Sequence, residues 1–275
     1  MINFQCRRQD RTGTPILRNP EIWEFAEEQI RDFRPSLLKE PGKFNAFHFL
    51  ESYLGANLEY QDIYYREGEC PIAGATIFSD GYVRVFDRES QCIRAIFVPA
   101  GTILIDNATI SKGNEGFAAF TALHEGGHFN LHSQVFSRNT DQLGLFERSA
   151  QNPKSICCRH QTVERVSSRY CRKFTPEWNR EHQANVYAAF AAMPRPTFIP
   201  CAKELIRHAG FRKGIFVDDP ASGWEAMHTL DMICDKLAGI YGVSRTAARV
   251  HLSELGLLMP KHKYDEIHAQ TVLFN

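Results

Sequence analysis

The run Thr121-Ala-Leu-His124-Glu125-Gly-Gly-His128-Phe-Asn-Leu-His132 has the residue types and spacing by which one helix can hold a hydrolytic zinc ion. Residues four apart on a helix share a face about 6 Å apart along the axis, so His124 and His128 can each offer an imidazole nitrogen to one Zn²⁺. Glu125, about 100° further round, is then placed to act on a water in the open coordination position as general base. His132 lies about 12 Å along the axis from His124, too far for three rings of one straight helix to meet at a single ion. Its expected place is a polar contact beside the ligand rings, at the rim of the site, or the surface. Gly126 and Gly127 each cost about 1 kcal/mol against alanine inside a helix. Two explanations stay open for them: tight helix packing, or close approach of a substrate strand to the metal.

A hydrolytic zinc usually has three protein ligands. The better third donor is Glu181, in Thr175-Pro-Glu-Trp-Asn-Arg-Glu181-His-Gln-Ala-Asn185-Val-Tyr187. Thr175 can cap this second helix, Pro176 suits its first turn, and Pro194 with Pro196 stops it. Ala184, Ala188, Ala191 and Ala192 give it a small-residue side that can lie close against the glycine-bearing helix. Asn185, four residues after Glu181, is expected to accept a ring N–H from a metal-bound histidine. His182 is the alternative ligand. Tyr170, Tyr187 and His132 are candidate contacts to the transition state, and the sequence does not choose among them.

The elements around these motifs read as α+β. Helices are expected at about 20–33 and 43–54, and the metal helix at about 115–132. Strands are expected at 58–65, 75–78, 82–86, 93–98 and 102–105, forming a small, mainly antiparallel sheet ahead of the metal helix. Its edge would accept an extended peptide as one more strand. The connection 133–174 is long, and from Lys154 to Lys173 it carries six Lys or Arg against the single Glu164. Cys157, Cys158, His160 and Cys171 lie within it, but their spacing fits no common zinc finger. Beyond it, Trp224–Leu258 reads as helix, turn at Gly242-Val-Ser244, and helix, with Ala247, Val250, Leu252 and Leu255 inward. Residues 1–200 are expected to form the metal-binding domain and 201–275 a helical subdomain.

These motifs together resemble the ImmA/IrrE family of metallo-endopeptidases. The resemblance rests on Phe120-Thr-Ala-Leu-His-Glu-Gly-Gly-His-Phe-Asn-Leu-His132 and on Trp178-x-x-Glu181-His-Gln-Ala-Asn185-Val-Tyr-Ala-Ala-Phe-Ala-Ala-Met193-Pro194. It extends through Gly101-Thr-Ile-Leu-Ile-Asp106 and Leu237-Ala-x-x-Tyr-Gly-Val-Ser244-x-x-Ala-Ala-x-x-x-Leu252-x-x-Leu255-Gly256, roughly residues 70–258. It implies a zincin-like fold, zinc on His124, His128 and Glu181, and Glu125 as general base. It further implies a regulatory protease that cleaves a repressor-type transcription regulator. The chain departs from the family at Gly126, where a large aliphatic residue is usual, and in its longer connection between the metal helices. The competing function is a non-proteolytic regulator that binds DNA or protein around a structural zinc.

Composition fits a cytoplasmic enzyme. The first residues hold no apolar stretch of signal-peptide length, and no run approaches the length that spans a bilayer. Eight cysteines at irregular spacing read as reduced. Lys plus Arg equals Asp plus Glu at 32 each, and the helix-turn-helix segment has no basic excess, so direct nucleic-acid binding is not expected.

Overall fold

The computed structural model describes residues 1–137, 155–159 and 175–273. Helix α1 (Asn19–Phe33) follows an extended amino-terminal segment, and Glu21 caps it by accepting the Arg18 backbone N–H. Its apolar positions Ile22, Phe25, Ala26 and Ile30 are buried. A short helix α2 (Ala46–His48) runs on as a π turn (Phe49–Tyr53), shorter than the helix expected over 43–54.

The strands are β1 (Asn57–Gln61), β2 (Ile72–Ile77), β3 (Gly81–Asp87), β4 (Cys92–Val98), β5 (Thr102–Asp106) and β6 (Ser155–Arg159). They make a four-stranded sheet in the order β1-β5-β2-β6, with a separate β3-β4 hairpin. The sheet is mixed: β1 runs parallel to β5, while β2 is antiparallel to both β5 and β6. The five strands expected in one mainly antiparallel sheet are thus divided, because the hairpin leaves the sheet and covers one face. Ala75, Ile77 and Leu104 on that face pack with Ile63 and, from the hairpin, Val83, Ile96 and Val98. The other face, with Ile103 and Ile105, joins the main helical core. Both sides of β2 are therefore covered, and all six of its residues are buried.

Helix α3 (Glu115–Ser137) crosses that second face, and α4 (Pro176–Ala192) packs along it. Thr175 Oγ1 accepts the Trp178 N–H, the expected cap. Pro194 ends α4, but Pro196 sits in the first turn of the next helix, α5 (Arg195–His208), where a missing N–H costs nothing. The two glycines of α3 resolve to helix packing. A Cβ on Gly127 would stand 3.0 Å from Ala184 Cα and 3.2 Å from its carbonyl oxygen, and one on Gly126 would meet Leu50 Cδ2 at 2.7 Å. The substrate-strand explanation for this pair is not what the packing gives.

Strand β7 (Phe216–Asp218) pairs in parallel with β8 (Leu258–Pro260), and α8 (Lys261–Leu273) follows β8. Between the two strands, α6 (Gly223–Tyr241) and α7 (Arg245–Glu254) form the expected helix-turn-helix. Gly242 takes the left-handed conformation (φ 69°), and Ser244 Oγ accepts the Ala247 N–H. The inward face of α7 is Ala248, His251 and Leu252; Ala247, Val250 and Leu255 are only half-buried. Gly116, at the start of α3, lies so close to this turn that a Cβ there would be 2.6 Å from the Val243 carbonyl carbon. One buried cluster continues from α1 through α4 and α5 to α7.

His251 is wedged edge-on between Phe190 and Phe198, and its Nε2 donates to the Met193 carbonyl at 3.0 Å. Burial lowers its pKa to about 3, against a weaker raising effect of that bond. The folded state thus binds fewer protons than the unfolded chain between about pH 3 and the ordinary histidine value of about 6.5, so stability is lost as pH falls through that window. Between pH 7 and pH 5, parent protein is expected to lose about 2 kcal/mol more than His251→Gln in urea unfolding. Equal losses would show that His251 is not kept neutral.

Candidate metal centre

The imidazoles of His124 and His128, one turn apart on α3, bring their Nε2 atoms within 2.9 Å of each other. From α4, Glu181 closes the triangle, with Oε2 3.3 Å from His124 Nε2 and Oε1 3.4 Å from His128 Nε2. Ligands bound at about 2.0–2.1 Å in a tetrahedron stand about 3.3 Å apart, so these separations suit a single ion among the three groups. Both histidines are fully buried, and Glu181 keeps 24% of its side chain exposed. Glu181 Oε2 makes no hydrogen bond although it is buried, as expected of an oxygen aimed at a cation.

The remaining ring nitrogens fix the tautomers. His124 Nδ1 is 2.9 Å from Asn185 Oδ1, which makes Nδ1 the donor and leaves a lone pair on Nε2. The His128 tautomer is set through a longer chain of hydrogen bonds. Gln183 Nε2 donates to the Pro15 carbonyl at 2.7 Å, so Gln183 Oε1 must accept from His132 Nε2 at 3.0 Å. His132 Nδ1 is then the acceptor for His128 Nδ1–H at 3.0 Å, and His128 Nε2 also carries its lone pair inward. His132 is thus a buried buttress, not a rim or surface residue. Burial and the neighbouring His128 hold its pKa well below the ordinary value, in keeping with a neutral ring.

Glu125 points to the other side. Its Oε2 accepts the Thr76 hydroxyl at 2.6 Å, while Oε1 is buried without a hydrogen bond. Gly74, on the same face of β2 as Thr76, makes room for it: a Cβ there would be 3.1 Å from Glu125 Cγ. Burial raises the Glu125 pKa to about 8, against the opposing influence of His124 and of the Thr76 bond. Burial acts the same way on Glu181, yet His128 and His124 outweigh it and hold that carboxyl well below the usual range. On His124, burial is outweighed by Cys158 and Glu181, which hold a proton on the ring well above its ordinary pKa. A buried pocket lined by two imidazoles and a carboxylate at these separations fits a divalent cation.

Cys158 is the member that the sequence placed elsewhere. It is fully buried, and its Sγ, a His124 ring nitrogen and a Glu181 oxygen lie within 4.8 Å of one another. His160 and Cys171, grouped with it in the sequence, lie outside the described residues, as does Tyr170. Nothing in its spacing pairs Cys158 with a motif 30 residues upstream; only the register of β6 on β2 brings it in. Tyr187 and His182 turn away from the centre. The Tyr187 hydroxyl donates to Gln29 and accepts from Asn130, and His182 stacks on Trp178 with Nε2 3.1 Å from Asn19. Gln183, Thr76 and Gly74 had no motif to mark them, although a glycine inside a strand is itself a sign of close approach.

This chain matches no protein-family model and no curated protein. The geometry is what carries the functional argument.

Because the His128 tautomer depends on the Gln183–His132 chain, Gln183→Leu is expected to weaken zinc binding by about 10–100-fold without unfolding the protein. Competition with a chromophoric chelator measures it. An unchanged zinc affinity would show that the chain does not orient His128.

Proposed function

We propose that the chain is a zinc-dependent endopeptidase of zincin-like architecture, and that its site is His124, His128 and Glu181 around the metal with Glu125 as general base. The observation that carries this reading is the pairing of a three-donor metal pocket with a buried carboxylate that has one oxygen fixed and one uncommitted. When bound, zinc would polarise a scissile carbonyl and acidify the attacking water. Thr76 holds Glu125 Oε2, so Oε1 is the atom that takes the water's proton and returns it to the leaving amine. Asn185 and His132 keep the two rings facing inward through the reaction.

The substrate class follows from the resemblance to the ImmA/IrrE family: a repressor-type transcription regulator in the cytoplasm. Direct DNA binding by α6 and α7 has little support. Arg245 pairs with Asp235 at 2.5 Å, and Arg249 lies 3.8 Å from Asp231 and 4.0 Å from Asp218, so the two arginines of α7 are already facing acids. Among the described residues no helix is long and apolar enough to cross a membrane. A regulator with a purely structural zinc is the competing reading, and the nearness of Cys158 favours it, since four protein donors make a closed site.

Glu181→Ala is expected to lose bound zinc, measured by elemental mass spectrometry of the purified protein; full occupancy would remove Glu181 from the ligand set. Glu125→Gln is expected to retain zinc and fold while peptide hydrolysis falls at least about 100-fold. Equal hydrolysis by that variant would end the proposed mechanism.

A further inference from the structure

Strand β6 occupies a position that the peptidase reading reserves for something else. An extended substrate is expected to add antiparallel to the sheet edge beside the metal helix. Without β6 the edge beside that helix would be β2, and in this chain Ser155–Arg159 is paired on it, antiparallel, with Ile156 opposite Thr76 and Cys158 opposite Gly74. Thr76 hydrogen-bonds Glu125, and Gly74 leaves room for it. Cross-strand neighbours share a face, so Cys158 is directed to the same side as the general base. The adjacent Cys157 is exposed, as the alternation of a strand requires, and only one of the two cysteines reaches the centre.

Resting on the peptidase reading, we propose that β6 is a built-in occupant of the substrate groove, whose Cys158 thiolate supplies the metal's fourth protein ligand, so that the chain as described holds its own centre closed. Three observations converge on it. Cys158 Sγ lies with a His124 ring nitrogen and a Glu181 oxygen inside 4.8 Å. Glu181 Oε2 and Glu125 Oε1 are buried beside it without hydrogen bonds. The strand that carries the thiol makes main-chain pairs with β2, as a bound peptide would. Added to His124 and Glu181, and to His128, which stands 2.9 Å from His124 and 3.4 Å from Glu181, a soft thiolate would complete a four-donor set for zinc and would leave no position for water. Peptidase activity then requires β6 to leave β2, which removes the ligand and frees the edge in one movement.

The test uses full-length protein loaded with Co²⁺, for parent, Cys158→Ser and Cys157→Ser, with acetohydroxamate as a small metal-binding probe. A thiolate-to-cobalt charge-transfer band in the near ultraviolet is expected in the parent and in Cys157→Ser, and its loss with one cobalt retained is expected in Cys158→Ser. Acetohydroxamate is expected to shift the visible cobalt bands of Cys158→Ser and to leave the parent spectrum unchanged. Cobalt bound in the parent without the charge-transfer band, or a parent spectrum that acetohydroxamate shifts as readily as that of the variant, would overturn the closed centre while leaving the peptidase reading intact. Failure of the parent to bind either cobalt or zinc would instead overturn the peptidase reading, and the inference with it.

Discussion

The approach of α3 to α4 at Gly127 is the contact on which the centre depends. The Cα and carbonyl of Ala184 occupy the space where a side chain at 127 would stand. Gly127 immediately precedes His128, and Ala184 is three residues after Glu181, so the separation of the two backbones sets the distance between the carboxylate and both rings. A methyl group there would press on backbone, which cannot rotate aside, and the 3.3–3.4 Å spacing would open. The glycine lowers the helix propensity of α3 by about 1 kcal/mol against alanine. What it secures is a distance that no side-chain adjustment could supply.

The second constraint is electrostatic. His124, Glu125, His128 and His132 are all fully buried on one helix, and a segment of this kind is stable only if each polar atom has a partner or a cation to face. Most of the partners come from outside α3. Asn185 and Gln183 come from α4, Thr76 from β2, and the Pro15 carbonyl from the amino-terminal segment. That segment is itself held: Arg180 donates to Thr14 Oγ1 at 2.7 Å, and Asp10 Oδ1 accepts the backbone N–H groups of Thr12 and Thr14. The tautomer of the His128 ring is therefore decided by a turn 113 residues earlier in the chain, through a route of hydrogen bonds that each have only one workable direction.

What could be read in the sequence follows from the range of the forces involved. The caps at Thr175 and Ser244 and the helices they open are local, and local chemistry predicted them closely. The geometry of His124, His128, Glu181 and Asn185 is helical periodicity on two elements, and the structure brings the four together as expected. Sheet order was less legible. The β3-β4 hairpin has the alternation of a sheet strand pair, and nothing within it says that it will cover the sheet instead of extending it. Ser-Ile-Cys-Cys-Arg has neither alternation nor a turn signal, so β6 was hidden inside what reads as a long connection. Gln183 and His132 were legible as polar helix residues, but their roles depend on which way an amide faces, and only the Pro15 carbonyl decides that.

Glu125 and Cys158 pull the reading of the centre in opposite directions, and their positions explain how both can belong to one site. A structural metal gains nothing from an adjacent carboxylate that is buried with one oxygen unbonded; such a group costs free energy to bury. A catalytic metal gains nothing from a thiolate in the position that water must take. The conflict disappears if the two residues serve different states of one centre. Glu125 is fixed by Thr76 and by the α3 backbone, elements packed on both sides. Cys158 is carried by the last strand of the sheet, joined through β2 alone among the described strands. On the proposed reading, the general base belongs to the permanent frame, and the thiol belongs to a strand that could be exchanged for a substrate strand without disturbing any other pairing of the sheet among the described residues.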